Sequence, residues 1–302
     1  MKVGAFALKM TKLWLGRADE KHYRGTALPE GAFVDADIDA LGDGVFSHQI
    51  DVYHPAEQIR INKTVLDIHG GGYIYGTRRN NKAYASVFLD KGFDVVTMDY
   101  PLNNGKETCD CIVQMQVLAK QLRYIWDHAE ELRLNRDAFF LTGDSAGGHF
   151  CLLLAEMVYD ADLAERFDVD LSGIRIRVVA PSCPVYDFER TFSTPQLTKS
   201  GKRFMFGKRY TQEGFAQLLS PKVHIKSLAI PIFLCSCKRD FLSQESKDLA
   251  QDLKSIPVDQ QFIFVESDDS QVSHIFNVIN IHHPESIRVN SALIDFFLTH
   301  AK

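Results

Sequence analysis

Short apolar segments and longer segments of helical periodicity follow one another along most of this chain. The apolar segments have the length of buried strands, and glycine, proline or polar residues end most of them. They predict strands at residues 64–68, 93–100, 138–141, 174–179, 231–237 and 261–266. The periodic segments predict helices at residues 82–91, 109–134, 149–159, 246–256 and 287–299. This alternation is typical of an α/β fold with a mostly parallel sheet and helices on both faces.

Three other segments depart from this pattern. Residues 48–53 alternate enough to predict an edge strand, whereas residues 1–44 have no strong period and predict a connecting or covering segment. Residues 186–225 are too long for a simple connection and are rich in phenylalanine and tyrosine. Because this aromatic content disfavours disorder, we predict an insertion over the carboxyl edge of the sheet. Residues 1–45 and 186–225 are the expected cap elements of a single domain spanning residues 1–302.

The N-terminal segment is rather apolar, but Lys9 and Lys12 interrupt it too early for a signal peptide. We predict instead an amphipathic helix that uses Val3, Phe6, Leu13 and Trp14. No apolar run approaches the roughly 18 residues that a membrane span requires. We therefore expect no membrane span and a cytoplasmic location.

Composition and net charge limit the kinds of function that the chain can have. A chain of 302 residues with 45% hydrophobic content can bury a large core as one α/β domain. The formal net charge of -5 gives no reason to expect a nucleic acid or an anionic membrane as a partner. The short basic clusters at Arg78-Arg79 and at residues 199–203 are predicted to be solvated surface. The sequence leaves a homodimer open.

The six cysteines are predicted to be free and buried. They are Cys109, Cys111, Cys151, Cys183, Cys235 and Cys237. Most lie in apolar segments, where a free cysteine packs as a small hydrophobic residue. The two C-x-C pairs lack the spacing of about two to four residues that zinc sites usually show, so we expect no metal. Disulfides are not expected in a cytosolic chain.

One serine lies in the context that nucleophilic catalysis requires. Gly143-Asp144-Ser145-Ala146-Gly147 fits G-x-S-x-G between a predicted strand and a predicted helix. In such a nucleophile elbow, small residues let strand and helix approach while a tight turn exposes the serine hydroxyl. The N-terminus of the helix also favours a developing negative charge. The pattern predicts Ser145 as the nucleophile.

A serine nucleophile needs a base, and the base needs a group that orients it. Asp240 follows the strand predicted at 231–237, and His274 follows the next strand after a loop. This order of serine, acid and histidine predicts Asp240 as the orienting acid and His274 as the base. The rivals are Asp268 and Asp269, which precede the histidine too closely, and His282 and His283, which lie beside Pro284.

Acyl transfer also needs N–H donors for the charge on the former carbonyl oxygen. The strand at 64–68 runs into His69-Gly70-Gly71-Gly72, where glycines allow the backbone to approach a substrate closely. The Ala146 N–H, at the start of the elbow helix, would add a further donor. Tyr73 and Asp144 are predicted to bind the substrate.

These motifs resemble those of the hormone-sensitive-lipase-like branch of the α/β-hydrolase esterases. The resemblance comprises HGGGY at residues 69–73, GDSAGG at 143–148, Asp240-Phe241-Leu242, and His274 followed by Phe276. It implies the α/β-hydrolase fold, the triad roles given above, and Gly71, Gly72 and Ala146 as the donors of the oxyanion hole. The chain departs from the branch in two places. Asp99-Tyr100-Pro101-Leu102 replaces the usual D-Y-R-L, and Lys238-Arg239 replaces the usual glycine-containing approach to the acid.

We predict that the chain is a serine carboxylic-ester hydrolase. It would cleave small or medium acyl esters through an acyl-enzyme, without a cofactor. An amide or formamide hydrolase, or a sugar deacetylase, would use the same triad. A non-catalytic small-molecule-binding protein on the same scaffold is the alternative of another class. The presence of a candidate for every triad member favours an enzyme.

Overall fold

The strands of the computed structural model form one sheet within the described part of the chain, which comprises residues 3–10, 27–103 and 109–301. The strands are β1 (Phe33–Asp39), β2 (Gln49–His54), β3 (Thr64–Ile68), β4 (Asp94–Met98), β5 (Phe139–Asp144), β6 (Val178–Ser182), β7 (Ile232–Cys237) and β8 (Gln260–Val265). Their order across the sheet is β1-β2-β4-β3-β5-β6-β7-β8. β1 and β2 pair antiparallel, and β2 is antiparallel to β4, whereas all the other pairs are parallel. The prediction of a mostly parallel sheet is confirmed.

Besides the helical residues 5–10, eleven α-helices are defined within the same described ranges. They are α1 (Lys82–Leu89), α2 (Cys111–Asp127), α3 (Ala146–Tyr159), α4 (Ala161–Arg166), α5 (Phe188–Phe192), α6 (Lys199–Phe206), α7 (Phe215–Leu218), α8 (Pro221–His224), α9 (Ser243–Leu253), α10 (Phe276–Ile279) and α11 (Pro284–Thr299). None of these described helices combines the length and the apolar character needed to cross a lipid bilayer.

Two apolar cores lie on opposite faces of the sheet. In β3, Val65 belongs to one core and Leu66 to the other, since successive side chains of a strand point to opposite faces. Helices α1 and α11 cover the first face, and α2, α3 and α9 cover the second. Burial on both faces explains why the central strands are continuous apolar runs.

The N-terminal part of the sheet differs from the prediction. β1 lies within the segment that we expected to be only a connection, and it makes β2 the second strand rather than the edge. Most of β1 is exposed, and it carries Asp35, Asp37 and Asp39. An exposed edge strand needs backbone pairing more than apolar side chains, and charges protect it from aggregation. Its sequence therefore lacks the apolar signal of a buried strand.

Several element ends also differ from the sequence prediction. Helix α2 ends at Asp127, and the chain then turns through Arg133, whose φ is +55°. Strand β6 begins at Val178 and includes Pro181, which we expected to end it. Ser182 still pairs with Cys235 of β7, so the strand continues beyond the proline.

The insertion at residues 186–225 contains four short helices, α5 to α8, and its aromatic side chains pack mainly on one another. It also holds the start of the described chain: the Val3 N–H donates to the Gln196 carbonyl, and the Thr198 N–H donates to Val3. Residues 5–10 are helical, as predicted. Phe6, however, is 78% exposed rather than packed, and Leu13 and Trp14 lie outside the described residues.

The prediction of solvated surface at Arg78-Arg79 is wrong for Arg78, whereas Arg79 is exposed. The Arg78 side chain is fully buried and forms ion pairs with Asp37, Asp51 and Asp99. Its Nε lies 2.7 Å from the Asp51 carboxylate, and its guanidinium packs over the Phe46 ring at 4.6 Å. Because a buried charge is tolerated only when it is paired, this arginine links β1, β2 and the segment after β4.

We predict that Arg78→Met lowers the free energy of unfolding by about 3–5 kcal/mol, because it leaves buried carboxylates without a counter-charge. Arg79→Met is the matched control. The Arg79 side chain is 47% exposed, so its ion pairs should contribute about 1 kcal/mol or less. Urea unfolding followed by circular dichroism measures both. Equal losses for the two variants would contradict the role of Arg78.

Candidate active site

Ser145 lies at a sharp turn between β5 and α3. Its φ of +54° is a conformation that residues with side chains rarely adopt, which marks a strained nucleophile elbow. Close packing enforces the turn: a Cβ at Gly147 would lie 2.0 Å from the Ile68 carbonyl oxygen, and one at Gly143 2.7 Å from Gly147. The Ser145 N–H also donates to the Ser182 carbonyl at 2.9 Å. The small residues of the motif are therefore required by contact.

Ser145, His274 and Asp240 come together at the carboxyl edge of the sheet. His274 Nε2 lies 2.9 Å from Ser145 Oγ, and His274 Nδ1 lies 2.7 Å from Asp240 Oδ1. The Asp240 side chain is buried, whereas the His274 side chain remains 19% exposed. An imidazole held in this way by a carboxylate can accept the serine proton.

The surroundings of Asp240 keep it ionised. Burial alone would raise its pKa, but the hydrogen bond and charge of His274 and the donors Leu242 N–H and Ser236 Oγ together lower it. Beyond the ends of β7 and β8, Arg239 still pairs with Ser273 in parallel fashion. This bridge aligns the two loops that carry Asp240 and His274.

The rival residues are placed elsewhere. Asp268 is exposed and pairs with Lys238 at 2.7 Å. His283 lies 3.3 Å from Asp269 and accepts the Glu285 N–H at the start of α11. His282 belongs to the turn just before α11. No contact in the described structure joins these four residues to Ser145.

The loop after β3 presents free backbone donors beside the serine. Gly71 and Gly72 both have positive φ, at +113° and +58°, and a Cβ at Gly71 would lie 2.1 Å from the Tyr75 carbonyl oxygen. Within the described residues, the N–H groups of Gly71, Gly72 and Ala146 have no protein acceptor. Such uncommitted donors are what an oxyanion hole needs.

Tyr73 and Asp144, which the sequence predicts to bind the substrate, make hydrogen bonds inside the protein. Both side chains are buried. Asp144 Oδ1 accepts the Gly70 N–H at 3.0 Å, and the Tyr73 hydroxyl lies 3.1 Å from His149 Nδ1. These hydrogen bonds hold the chain at Gly70 and at Tyr73, on either side of Gly71 and Gly72.

Asn81 is a supporting residue that the sequence analysis missed. Its amide donates to Asp144 Oδ1 at 2.9 Å and to Asp67 Oδ2 at 3.0 Å, so that it links two buried carboxyls. Burial raises the pKa of both, and for Asp67 the nearby charge of Asp144 adds to the effect. No motif contains Asn81, and only the fold brings it to Asp144.

His149 was also missed. It is buried in α3, where its Nε2 lies 2.5 Å from the Leu219 carbonyl and its ring stacks on Phe188. It thereby connects the glycine loop, through Tyr73, to the end of the insertion. Burial lowers the pKa of His149 to about 4, and it does the same for His69, whose Nδ1 lies 2.7 Å from the Gly70 carbonyl.

In the described part of the chain, three side chains lie close enough together to bind a metal ion. The Sγ of Cys183 and one ligand atom each of Asp240 and His274 lie within 4.8 Å of one another. Burial raises the pKa of the Cys183 thiol well above its usual value, which keeps it a poor ligand. Asp240 and His274 are already hydrogen-bonded to each other.

A comparison with known protein families matches residues 50–253 to BD-FAE. The chain belongs to the BD-FAE family. This family lies in the hormone-sensitive-lipase-like branch of the α/β-hydrolases, so the resemblance carried by the HGGG and GDSAGG motifs is confirmed.

The relatives of this BD-FAE chain are esterases. It is 24% identical over 221 residues to a probable carboxylic ester hydrolase, LipM, of Mycobacterium tuberculosis (strain ATCC 25618 / H37Rv). That match covers 71% of this chain and 49% of LipM, so the chain spans about half the length of this curated relative.

Solved structures show the same fold over nearly the whole chain. A C6-C4 SN3 inhibited esterase B from Lactobacillus rhamnosis has a TM-score of 0.87 at 25% identity, over 97% of this chain and 94% of that one. Esterase B with a C4-C4 SN3 tributyrin phosphonate has a TM-score of 0.86 at 24% identity, over the same shares of the two chains. The predicted α/β-hydrolase fold is confirmed.

This BD-FAE chain has Asp99-Tyr100-Pro101 where the branch usually has D-Y-R, and other residues of the chain bind Asp99 and Tyr100. Asp99 is paired with Arg78, which lies outside this motif. The Tyr100 hydroxyl donates to the His69 carbonyl at 2.9 Å, and its ring stacks on the His69 ring. The loop before the glycines therefore remains held.

We predict that acid destabilises the protein partly through His149. The unfolded histidine gains a proton below pH about 6.5, whereas the folded one does so only near pH 4. Stability present above pH 6.5 is therefore lost as the pH falls toward 4, by about 2 kcal/mol at pH 5. Urea unfolding at pH 7 and pH 5 should show a smaller loss for His149→Gln than for the native chain.

The NMR titration of the His149 ring provides a direct check. The titration should report a pKa near 4. The proposed role of His149 would be contradicted by a midpoint near pH 6.5 together with an equal loss of stability between pH 7 and pH 5 in the native chain and in His149→Gln.

Proposed function

We propose that this chain is a serine carboxylic-ester hydrolase that cleaves small or medium acyl esters through an acyl-enzyme. One observation carries the proposal: His274 bridges Ser145 Oγ and Asp240 with distances of 2.9 and 2.7 Å. No cofactor takes part in this chemistry.

The acylation step follows from this geometry. Ser145 Oγ attacks the ester carbonyl carbon while His274 Nε2 takes the hydroxyl proton. Asp240 stabilises the imidazolium that forms and holds its Nδ1 proton. His274 then gives the proton to the alcohol oxygen as the carbon–oxygen bond breaks, which releases the alcohol and leaves an ester on Ser145.

Water completes the cycle. His274 removes a proton from a water molecule, the hydroxide adds to the acyl-enzyme, and the proton returns to Ser145 Oγ as the acid leaves. In both tetrahedral intermediates the negative oxygen is bound by the free N–H groups of Gly71, Gly72 and Ala146. The start of α3 adds the favourable end of a helix dipole.

Family membership and the similarity to esterase B and LipM support an ester as the substrate. The complete triad argues against a non-catalytic binding protein on the same scaffold. Amide, formamide and acetylated-sugar hydrolysis share the triad, and a substrate panel separates them from ester hydrolysis.

The proposed cap consists of the insertion at residues 186–225 together with the N-terminal segment that it binds. Met205 of the insertion borders the glycine loop, because a Cβ at Gly72 would lie 3.3 Å from its methyl carbon. The larger aromatic side chains of the insertion, such as Phe188 and Phe206, are fully buried and pack on each other and on Tyr73. The smaller and more flexible Met205 is thus the residue of the proposed cap that borders the glycine loop, where the acyl group of the substrate would bind.

The cytoplasm is the proposed location. All six cysteines are free and buried, which suits a reducing compartment. Assembly as a homodimer stays a prediction.

We predict that Ser145→Ala lowers kcat for p-nitrophenyl butyrate by about 10⁴-fold or more, since the nucleophile is lost. The far-ultraviolet circular dichroism and melting temperature of the variant should remain those of a folded protein. Ser86→Ala is the matched control and should keep its activity. Ser86 lies in α1, and its hydroxyl donates a hydrogen bond to the Ala83 carbonyl.

A fluorophosphonate probe tests the same serine independently. It should label the native chain at Ser145 and leave Ser145→Ala unlabelled. Turnover by Ser145→Ala equal to that of the native chain would refute the proposed function.

A further inference from the structure

Phe241 occupies an unusual position for a large apolar side chain. It follows Asp240 directly in the chain, and its side chain is 77% exposed. Its ring centroid lies only 4.2 Å from that of His274, with the planes inclined at 42°. A solvent-exposed aromatic ring beside the proposed base, His274, can gain apolar contact when a substrate covers it.

Hydrogen bonds fix the backbone on both sides of Phe241. The Asp240 N–H donates to the Cys237 carbonyl at 3.1 Å, and the Ser243 N–H donates to the Asp240 carbonyl at 3.0 Å. The Leu242 N–H also donates to Asp240 Oδ1 at 2.9 Å. Phe241 is thus the projecting residue of a hydrogen-bonded turn, and that turn is anchored on the buried acid of the triad.

The chemistry of the reaction decides which part of the substrate meets Phe241. The alcohol oxygen must receive its proton from His274 Nε2, so the alcohol group leaves along the imidazole. The carbonyl oxygen faces the glycine loop instead, which Met205 of the cap borders. Phe241 therefore stands on the alcohol side of the scissile bond, and Met205 stands near the glycine loop.

We propose that Phe241 binds the alcohol part of the ester and makes the protein selective for esters of apolar, above all aromatic, alcohols. The inference rests on the proposed ester hydrolysis and adds the substrate class to it. The two rings form one surface: His274 delivers the proton at its edge while Phe241 stacks on the departing alcohol group.

The acyl-enzyme offers a sharp test, because its second half no longer contains the alcohol. Benzyl butyrate and ethyl butyrate share one acyl-enzyme, so they differ only in binding and acylation, which kcat/KM reports. We expect Phe241→Ala to lower kcat/KM for benzyl butyrate by about tenfold and for ethyl butyrate by about twofold or less. Phe241→Leu should lie between the native chain and Phe241→Ala.

Ile287→Ala is the matched control, since Ile287 is a similarly apolar residue, 53% exposed on α11, with no contact to the triad. It should leave both values unchanged. Equal falls for the two esters in Phe241→Ala would mean that Phe241 only positions His274, and no fall would mean that it touches no substrate; either result overturns the inference. If the native chain hydrolyses neither ester beyond the rate of Ser145→Ala, the proposed function itself fails.

Discussion

The contact between the end of β3 and the start of α3 is the constraint on which the site depends. At Gly147 the backbone of α3 touches the Ile68 carbonyl so closely that a methyl group would overlap it. This approach forces Ser145 into its strained turn and sets the glycine loop, which continues from Ile68, beside the serine. One backbone contact thus places both Ser145 and the glycine loop, the proposed nucleophile and oxyanion donors.

The remaining parts of the site are delivered by the order of the strands. β5 lies between β3 and β6, and β7 and β8 follow toward the edge. Because these strands are parallel, their carboxyl ends share one edge of the sheet, where loops from all of them meet. Asp240 after β7 and His274 after β8 consequently reach a serine that lies 129 residues before the histidine.

Buried polar groups then fix the loops that the strands deliver. Asp144 and Asn81 hold Gly70, His149 holds Tyr73 and the end of the insertion, and Arg78 pairs with Asp99. Each would be costly to bury alone, and each is paired inside the protein. Phe188 and Phe206 of the insertion pack on Tyr73, so that the insertion and the glycine loop are in direct contact.

By itself the sequence determined the α/β class, the central strands and the candidate triad, since apolar runs and short glycine motifs are local patterns. It missed β1, whose pairing needs few apolar side chains, and it misjudged Arg78, whose partners lie up to 41 residues away. It also did not show that Tyr73 and Asp144 are buried and hydrogen-bonded to His149 and Gly70. Only the tertiary structure decided these points and the place of Phe241 on His274, because burial and partnership between distant residues arise from the packing of the whole chain.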